Sequence, residues 1–202
     1  YRMDGVLAGQ TVPAVLSSVI EDVLVAAILP LFAGWCVADG VGAAQAKVWR
    51  LLRTLAVGAL LAAGLLAALS SVIVYGVAPG LGPSASSIAV RSLQITAPSI
   101  VFLTVGSTLG AVLNYQRRFV WAAAAGMVGN AAALVTLIVF SQQLHVYSLP
   151  VAANVFAILL LVCQAPFVRA SWETRVSAVD TGDVMKAFGT LAGPLVLGVL
   201  LF

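Results

Sequence analysis

A glutamate and an aspartate, Glu21 and Asp22, stand side by side in a stretch whose other residues suit hydrocarbon. Gln10, Ser17 and Glu21 fall at offsets of seven and four, and Thr11, Ser18 and Asp22 repeat those offsets one position later. On an α-helix the two sets form neighbouring columns, which predicts a single polar face. Leu16, Val19, Ile20, Val23 and Leu24 cover much of the remaining circumference. A carboxylate turned toward the middle of a bilayer costs about 3 kcal/mol or more, so this pair has to face water, a cation or the interior of a bundle. Two readings follow. In one, the face lines a hydrophilic cavity for a substrate or a coupling ion. In the other, Glu21-Asp22 marks a kink or helix end solvated at the membrane surface.

A weaker polar stripe runs through Thr104, Ser107, Thr108 and Asn114, beside Gly106 and Gly110. Small residues at that spacing let helices approach closely, and hydroxyls can hydrogen-bond across the contact. Packing is favoured over substrate contact here, and Asn130 and Asn154 invite the same reading as inter-helix hydrogen-bonders. Other chemistry is poorly supplied. His145 is the single histidine, and Cys36 and Cys163 lie in or at the ends of apolar runs as small packing residues. Ser86, Ser87 and Ser92 have no base partner suggested by the sequence, and Gly80-Leu81-Gly82 lacks a phosphate-loop lysine. No catalytic residue, metal site or cofactor is expected.

The elements that must position these residues are membrane spans. The chain has 202 residues, of which 62% are hydrophobic and 8% charged, with mean hydropathy +1.11. Soluble domains carry about 25% charged residues, so the composition is that of an integral membrane protein. A spanning helix needs roughly 20 mostly apolar residues. That window predicts an all-α polytopic bundle of about six transmembrane helices, at about 6–37, 51–78, 88–115, 119–140, 149–168 and 184–202. The first is interrupted by Pro13 and by the acidic pair, and its length predicts a kinked or tilted helix. Pro98, Pro166 and Pro194 also fall within or at the edges of spans, a pattern of broken helices suited to a transporter.

Basic residues sort the connections. Lys47, Arg50 and Arg53, then Arg117 and Arg118, then Arg169, Arg175 and Lys186 occupy alternate loops, against Arg2 and Arg91 on the other side. That asymmetry places the loops at 39–53, 115–118 and 169–186 in the cytoplasm. Trp35, Trp49, Tyr115, Trp121 and Trp172 gather near the same ends, with Tyr75 and Tyr147 near the opposite ones, as an interfacial aromatic belt requires. The formal charge of +3 is accounted for by topology, so nucleic acid is not an expected partner. The chain opens on Tyr1 and stops at Phe202 inside an apolar run, so a fragment of a longer membrane protein is expected.

Asp4, Val12-Pro13, Glu21-Asp22 and Leu29-Pro30 together resemble the second helix of the MviN/MurJ family of lipid-linked precursor flippases. Ala78-Pro79-Gly80-Leu81 is similar to that family's loop after the third helix, and Ile95-Thr96-Ala97-Pro98-Ser99-Ile100 to its fourth-helix start. Leu113-Asn114-Tyr115-Gln116-Arg117-Arg118-Phe119 resembles its Leu-Asn-aromatic turn, Gly129-Asn130 its fifth helix, and Gly193-Pro194 with Leu197-Gly198 its seventh. The individual motifs are short; their order and spacing, from Asp4 to Gly198, carry the resemblance.

The resemblance implies a fold of the multidrug/oligosaccharidyl-lipid/polysaccharide exporter superfamily, with two six-helix lobes around a central cavity. It implies that residues 1–202 are most of the N-terminal lobe, without the first helix and the C-terminal lobe. It implies no enzyme, but a flippase of the inner (cytoplasmic) membrane that moves an undecaprenyl-diphosphate-linked glycan, lipid II or a related one, by alternating access. The implied partners are that lipid-linked glycan, the bilayer and the missing lobe. Candidate cavity residues are then Asp4, Gln10, Ser17, Ser18, Glu21 and Asp22, with Ser107, Asn114 and Asn130 in the cavity or in helix packing. Members that move peptidoglycan precursors carry arginine after the proline of this helix, where the present chain reads Ser17-Ser18. Serine does not replace an arginine fork on a diphosphate, which leaves room for another polyprenyl-linked glycan. A cation-coupled small-molecule exporter and a transport-inactive scaffold on the same fold are the alternatives.

Overall fold

The computed structural model describes residues 2–169 and 181–201, all of them helix or short connection. The order is α1 (Arg2–Asp39), α2 (Val41–Ala68), α3 (Ser70–Val77), α4 (Pro83–Thr96), α5 (Ser99–Tyr115), α6 (Phe119–Leu144), a 3-10 turn (His145–Tyr147), α7 (Ser148–Arg169) and α8 (Thr181–Leu201). Among the described residues, four stretches are long and apolar enough to cross a membrane: Asp4–Asp39, Val41–Ala68, Pro83–Tyr115 and Phe119–Val168. The protein is thus an all-α, multi-pass membrane bundle.

The boundaries differ from the expected ones in ways that follow from local chemistry. Helix α1 runs as one helix through Pro13 and Pro30, over the stretch where the sequence predicts a kinked or tilted helix. Pro13 is fully buried, so neighbouring helices hold the turn that its missing N–H weakens. The stretch 39–53 is not a loop. It shrinks to Gly40, whose φ of +82° reverses the chain in one residue, and α2 is helical from Val41. Lys47 reaches back across this corner to Asp39 at 2.7 Å and lies over the Trp35 ring. The expected segment 51–78 is divided at Leu69, where Gln94 of α4 donates to Ser70 Oγ at 3.0 Å. The segment 88–115 begins earlier, with Pro83 opening α4, and is divided at Ala97-Pro98. Proline fixes φ and lacks a donor, so it starts α5 more readily than it continues α4. Of the expected loop 169–186, residues 170–180 lie outside the described residues and 181–186 are helical.

The helices pack in two ways. Small residues bring backbones together: a Cβ on Gly5 would lie 2.5 Å from the Ala85 carbonyl oxygen, and one on Gly9 would run into that of Ala89. Larger apolar side chains fill the other contacts. Val23, Leu24, Ala27, Ile28 and Leu31 of α1 meet Leu51, Ala111, Val184, Phe188 and Ala192. Leu52, Leu109, Leu113 and Val168 form a second cluster. The outer faces of α2 and α6 stay apolar and open, with Leu61 70% and Ile138 74% exposed, as lipid contact requires.

The basic ends converge. Phe32 meets Tyr115 edge-on at 4.8 Å, and Trp121 stacks on Phe167 at 3.9 Å. Arg118 donates to the Phe167 carbonyl at 3.1 Å. Trp35, Tyr115 and Trp121 thus share one end of the bundle with Lys47 and Arg118, while Trp172 lies outside the described residues.

Candidate functional site

The polar face expected on α1 is divided by its neighbours. Successive residues on a helix are 100° apart, and α1 packs mainly on α4 and α5, so one of the two columns turns toward the bundle. Gln10, Ser17 and Glu21 turn inward and are half-buried; Thr11, Ser18 and Asp22 are exposed. Thr11 and Ser18 satisfy their hydroxyls on their own helix, donating to the Leu7 and Val15 carbonyls at 2.9 Å. The outward column continues past Asp22 with the exposed Leu29, whereas Val25, four residues after Glu21, lines the same space as Glu21. Neighbours in sequence, Glu21 and Asp22 therefore belong to different surfaces.

The inward column lines two cavities. Gln10 and Ser17 border one of about 330 Å³, with Pro13, Thr96, Ser99 and the apolar side chains of α6 and α7. Glu21 borders the other, of about 480 Å³, with Ser107, Gly110 and Asn114 of α5 and Gln164 of α7. Phe156 lines both. Among the predicted residues, the structure therefore brings Glu21, Ser107 and Asn114 together. Helix α5 can present them because Gly106 and Gly110 let α7 approach: a Cβ on Gly106 would sit 3.2 Å from Leu160, and one on Gly110 3.5 Å from Gln164.

Other predicted residues fall elsewhere. Asp4 is exposed in the first turn of α1, where an acid complements the helix dipole, and lines neither cavity. Asn130 is exposed on α6 and lines neither. Its neighbour Gly129 carries the packing, with room for no Cβ against Phe156. The α5 hydroxyls do not reach across helices as expected. Thr104 and Thr108 donate to Ile100 and Thr104 carbonyls at 2.7 and 2.8 Å, because a buried threonine finds the preceding turn of its own helix first. Asn154 does cross: its Nδ2 donates to Ile95 O at 2.7 Å, a carbonyl at the α4–α5 break.

Gln164 is the residue sequence reasoning passed over. It is 3% exposed, and its Oε1 has no hydrogen-bond partner among the described residues. An amide two residues before Pro166 in an otherwise apolar run was the available signal. Among the described residues no cluster of three His, Cys, Asp or Glu side chains could hold a metal ion.

A solved structure described as "Lipid II flippase MurJ, inward closed conformation" superposes with a TM-score of 0.78 at 16% identity. The match covers 99% of this chain and 41% of that one, so the chain spans about two-fifths of the length of the solved relative. At that identity the likeness speaks for the fold. No curated protein matches the chain significantly. The family model described as "Lipid II flippase MurJ" matches residues 12–202, nearly the whole chain. Its members are transporters rather than enzymes, in line with the lack of catalytic residues expected from the sequence. With both its sequence pattern and its helix arrangement accounted for, the chain belongs to the MurJ family.

Proposed function

We propose that the chain forms one lobe, the N-terminal one, of a flippase that carries an undecaprenyl-diphosphate-linked glycan across the cytoplasmic membrane by alternating access. The observation that carries this reading is the family match across residues 12–202. The outward column of α1 supports it: Thr11, Ser18 and Asp22 form a polar stripe exposed on a helix otherwise fit for lipid, as a surface turned toward a second lobe and a shared cavity requires. The helices then make six crossings: α1, α2 with α3, α4 with α5, α6, α7 and α8. The ends bearing Lys47, Arg50, Arg53, Arg117 and Arg118 face the cytoplasm.

In this mechanism no bond is made or broken. Transport follows from differential stabilisation of inward-open and outward-open states. Asp22 and Ser18 face the shared cavity, where Asp22 pairs with a cation or with a basic residue of the other lobe. Glu21, Gln10 and Ser17 set the polarity just behind that surface. With Ser17-Ser18 in place of an arginine, this lobe offers no fork for the diphosphate, so charge recognition falls to the other lobe or the substrate departs from lipid II.

The test is complementation by the full-length gene in cells depleted of their own flippase, with lipid II accessibility at the outer leaflet as the readout. The double variant Glu21→Gln, Asp22→Asn is expected to insert at wild-type levels and to lower flipping at least tenfold. Wild-type flipping by that variant would remove the acidic pair from the mechanism. Failure of the wild-type gene itself to expose lipid II, with rescue of another lipid-linked glycan, would reassign the substrate.

A further inference from the structure

Helices α3 and α4 are held differently from the rest of the bundle. They have an apolar core of their own, in which Val74 packs with Ala89 and Leu93 under Ile73, Leu81 and Val90. Among the described residues, no other buried apolar cluster takes a side chain from either helix. Each meets the remainder of its span at an interruption, α3 at Leu69 and α4 at Ala97-Pro98. The two interruptions lie together, because Gln94 Nε2 donates to Ser70 Oγ at 3.0 Å.

Side chains, rather than the backbone ladder alone, satisfy the carbonyls at these interruptions. Ser70 Oγ donates to Ala67 O at 2.9 Å, Thr96 Oγ1 to Ser92 O at 2.9 Å and Ser99 Oγ to Thr96 O at 2.7 Å. Asn154 of α7 donates to Ile95 O at 2.7 Å. Pro98 has no N–H with which to carry the ladder from α4 into α5. Helices bend where serine, threonine and proline do this. The present angle also leaves a polar group unsatisfied. Ser92 Oγ, about one turn before the break, is fully buried and has no hydrogen-bond partner among the described residues, a cost that a second arrangement can relieve. Room for one exists, since Thr96 and Ser99 border the cavity of about 330 Å³ shared with α6 and α7.

We propose that the α3–α4 hairpin, Ser70 to Thr96, is a hinged body that swings about an axis through Leu69 and Ala97-Pro98. In such a device a few element-terminal residues absorb the change of angle while the bodies on either side keep their packing. The private core of α3 and α4 meets that requirement. The hairpin bears on α1 where the backbone at Gly5 and Gly9 meets Ala85 and Ala89, and α1 continues past the level of the hinge to Asp39. A swing of the hairpin therefore moves α1 with it. The device goes beyond the flippase reading, because its movement is followed with no lipid-linked glycan present.

The experiment uses full-length protein in nanodiscs, with its cysteines replaced by alanine and spin labels attached in pairs. Distances are read by double electron–electron resonance. One pair joins the hairpin to α6 (Ser87→Cys with Val139→Cys), a second joins α1 to α6 (Thr11→Cys with Val139→Cys), and a third lies within α6 (Val120→Cys with Val139→Cys), all at exposed positions. Ser87 stands about 16 Å along α4 from the break, so a swing of about 15° moves it about 4 Å. The hairpin pair is expected to show two distances separated by about that much, the α1 pair to spread with it, and the α6 pair to stay single and narrow. Pro98→Ala restores the missing N–H and lets α4 run on into α5. It should halve the width of the hairpin pair and narrow the α1 pair in parallel. A wild-type hairpin pair as narrow as the α6 pair would overturn the proposal. So would a spread that Pro98→Ala leaves unchanged, which would be local fraying of α4. A broad hairpin pair beside a narrow α1 pair would uncouple the hairpin from α1 and overturn it as well. The wild-type distances decide the question whatever the fate of the Pro98 variant.

Discussion

Asn154 shows what one side chain can contribute where a helix is interrupted. Its Nδ2 reaches both Ile95 O at 2.7 Å and Pro150 O at 3.0 Å, linking α7 to the end of α4. Such bonds in membrane bundles average about 0.6 kcal/mol and reach about 1.7. Asn154→Leu is therefore expected to lower unfolding free energy by about 1 kcal/mol, read from denaturant unfolding in detergent, with the α4–α5 break as the first site of increased amide exchange. The role of Asn154 as an inter-helix bonder was legible from its type and its apolar surroundings. That of Asn130 was not, because periodicity says which residues share a face but not whether a neighbour covers it. The same ignorance merged the two columns of α1 into one. Glu21 and Asp22 are 100° apart on any helix; only the placement of the neighbouring helices decides that one is half-buried and the other exposed. Gln164 escaped notice because a lone amide in an apolar run has no spacing pattern to reveal it.

Among the elements, the crossing of α1 and α4 is the tightest. Gly5 and Gly9 on one helix oppose Ala85 and Ala89 on the other, one turn apart on each side. Gly9→Val should force these backbones apart and cost about 1–3 kcal/mol, as overpacking does in other well-packed contacts. Gly34→Ala, on the same helix with no atom within 4 Å of the added carbon, should be neutral or stabilising by up to about 1 kcal/mol. Melting temperatures of the two variants separate a packing requirement from a general intolerance of α1 to substitution. Helix content and the approximate limits of α5, α6 and α7 followed from hydropathy. The break at Leu69 did not, since it lies inside a continuous apolar run, while that at Ala97-Pro98 is signalled by its proline and not by hydropathy. The early start of α2 was hidden for the opposite reason: the basic residues after Gly40 read as loop, whereas they decorate the first turns of α2.

For the molecule as a whole, orientation is the property most open to a direct check. With Cys36 and Cys163 replaced by alanine, Arg117→Cys should react with a membrane-impermeant maleimide only after permeabilisation, and His145→Cys in intact cells. Reaction of Arg117→Cys from outside would invert the topology. The lobe's outer surface, apolar on α2 and α6, needs no explanation beyond lipid; the polar stripe on α1 does, and the chain spans 41% of its solved relative. The glycine crossing bears on that stripe. Helix α1 has 38 residues and so extends about 57 Å, well beyond a hydrocarbon core of about 30 Å. Glu21 stands about 18 Å along the axis from Gly9. The crossing with α4 brings the backbone at Gly5 and Gly9 against Ala85 and Ala89, a contact about which α1 can pivot. A tilt of about 5° there carries the Glu21 backbone about 1.6 Å, by the rise per residue of a rigid helix. That distance is enough to narrow or widen the groove that Glu21 borders with α5, so α1 can act as a lever that converts motion near Gly9 into a change of groove width at Glu21.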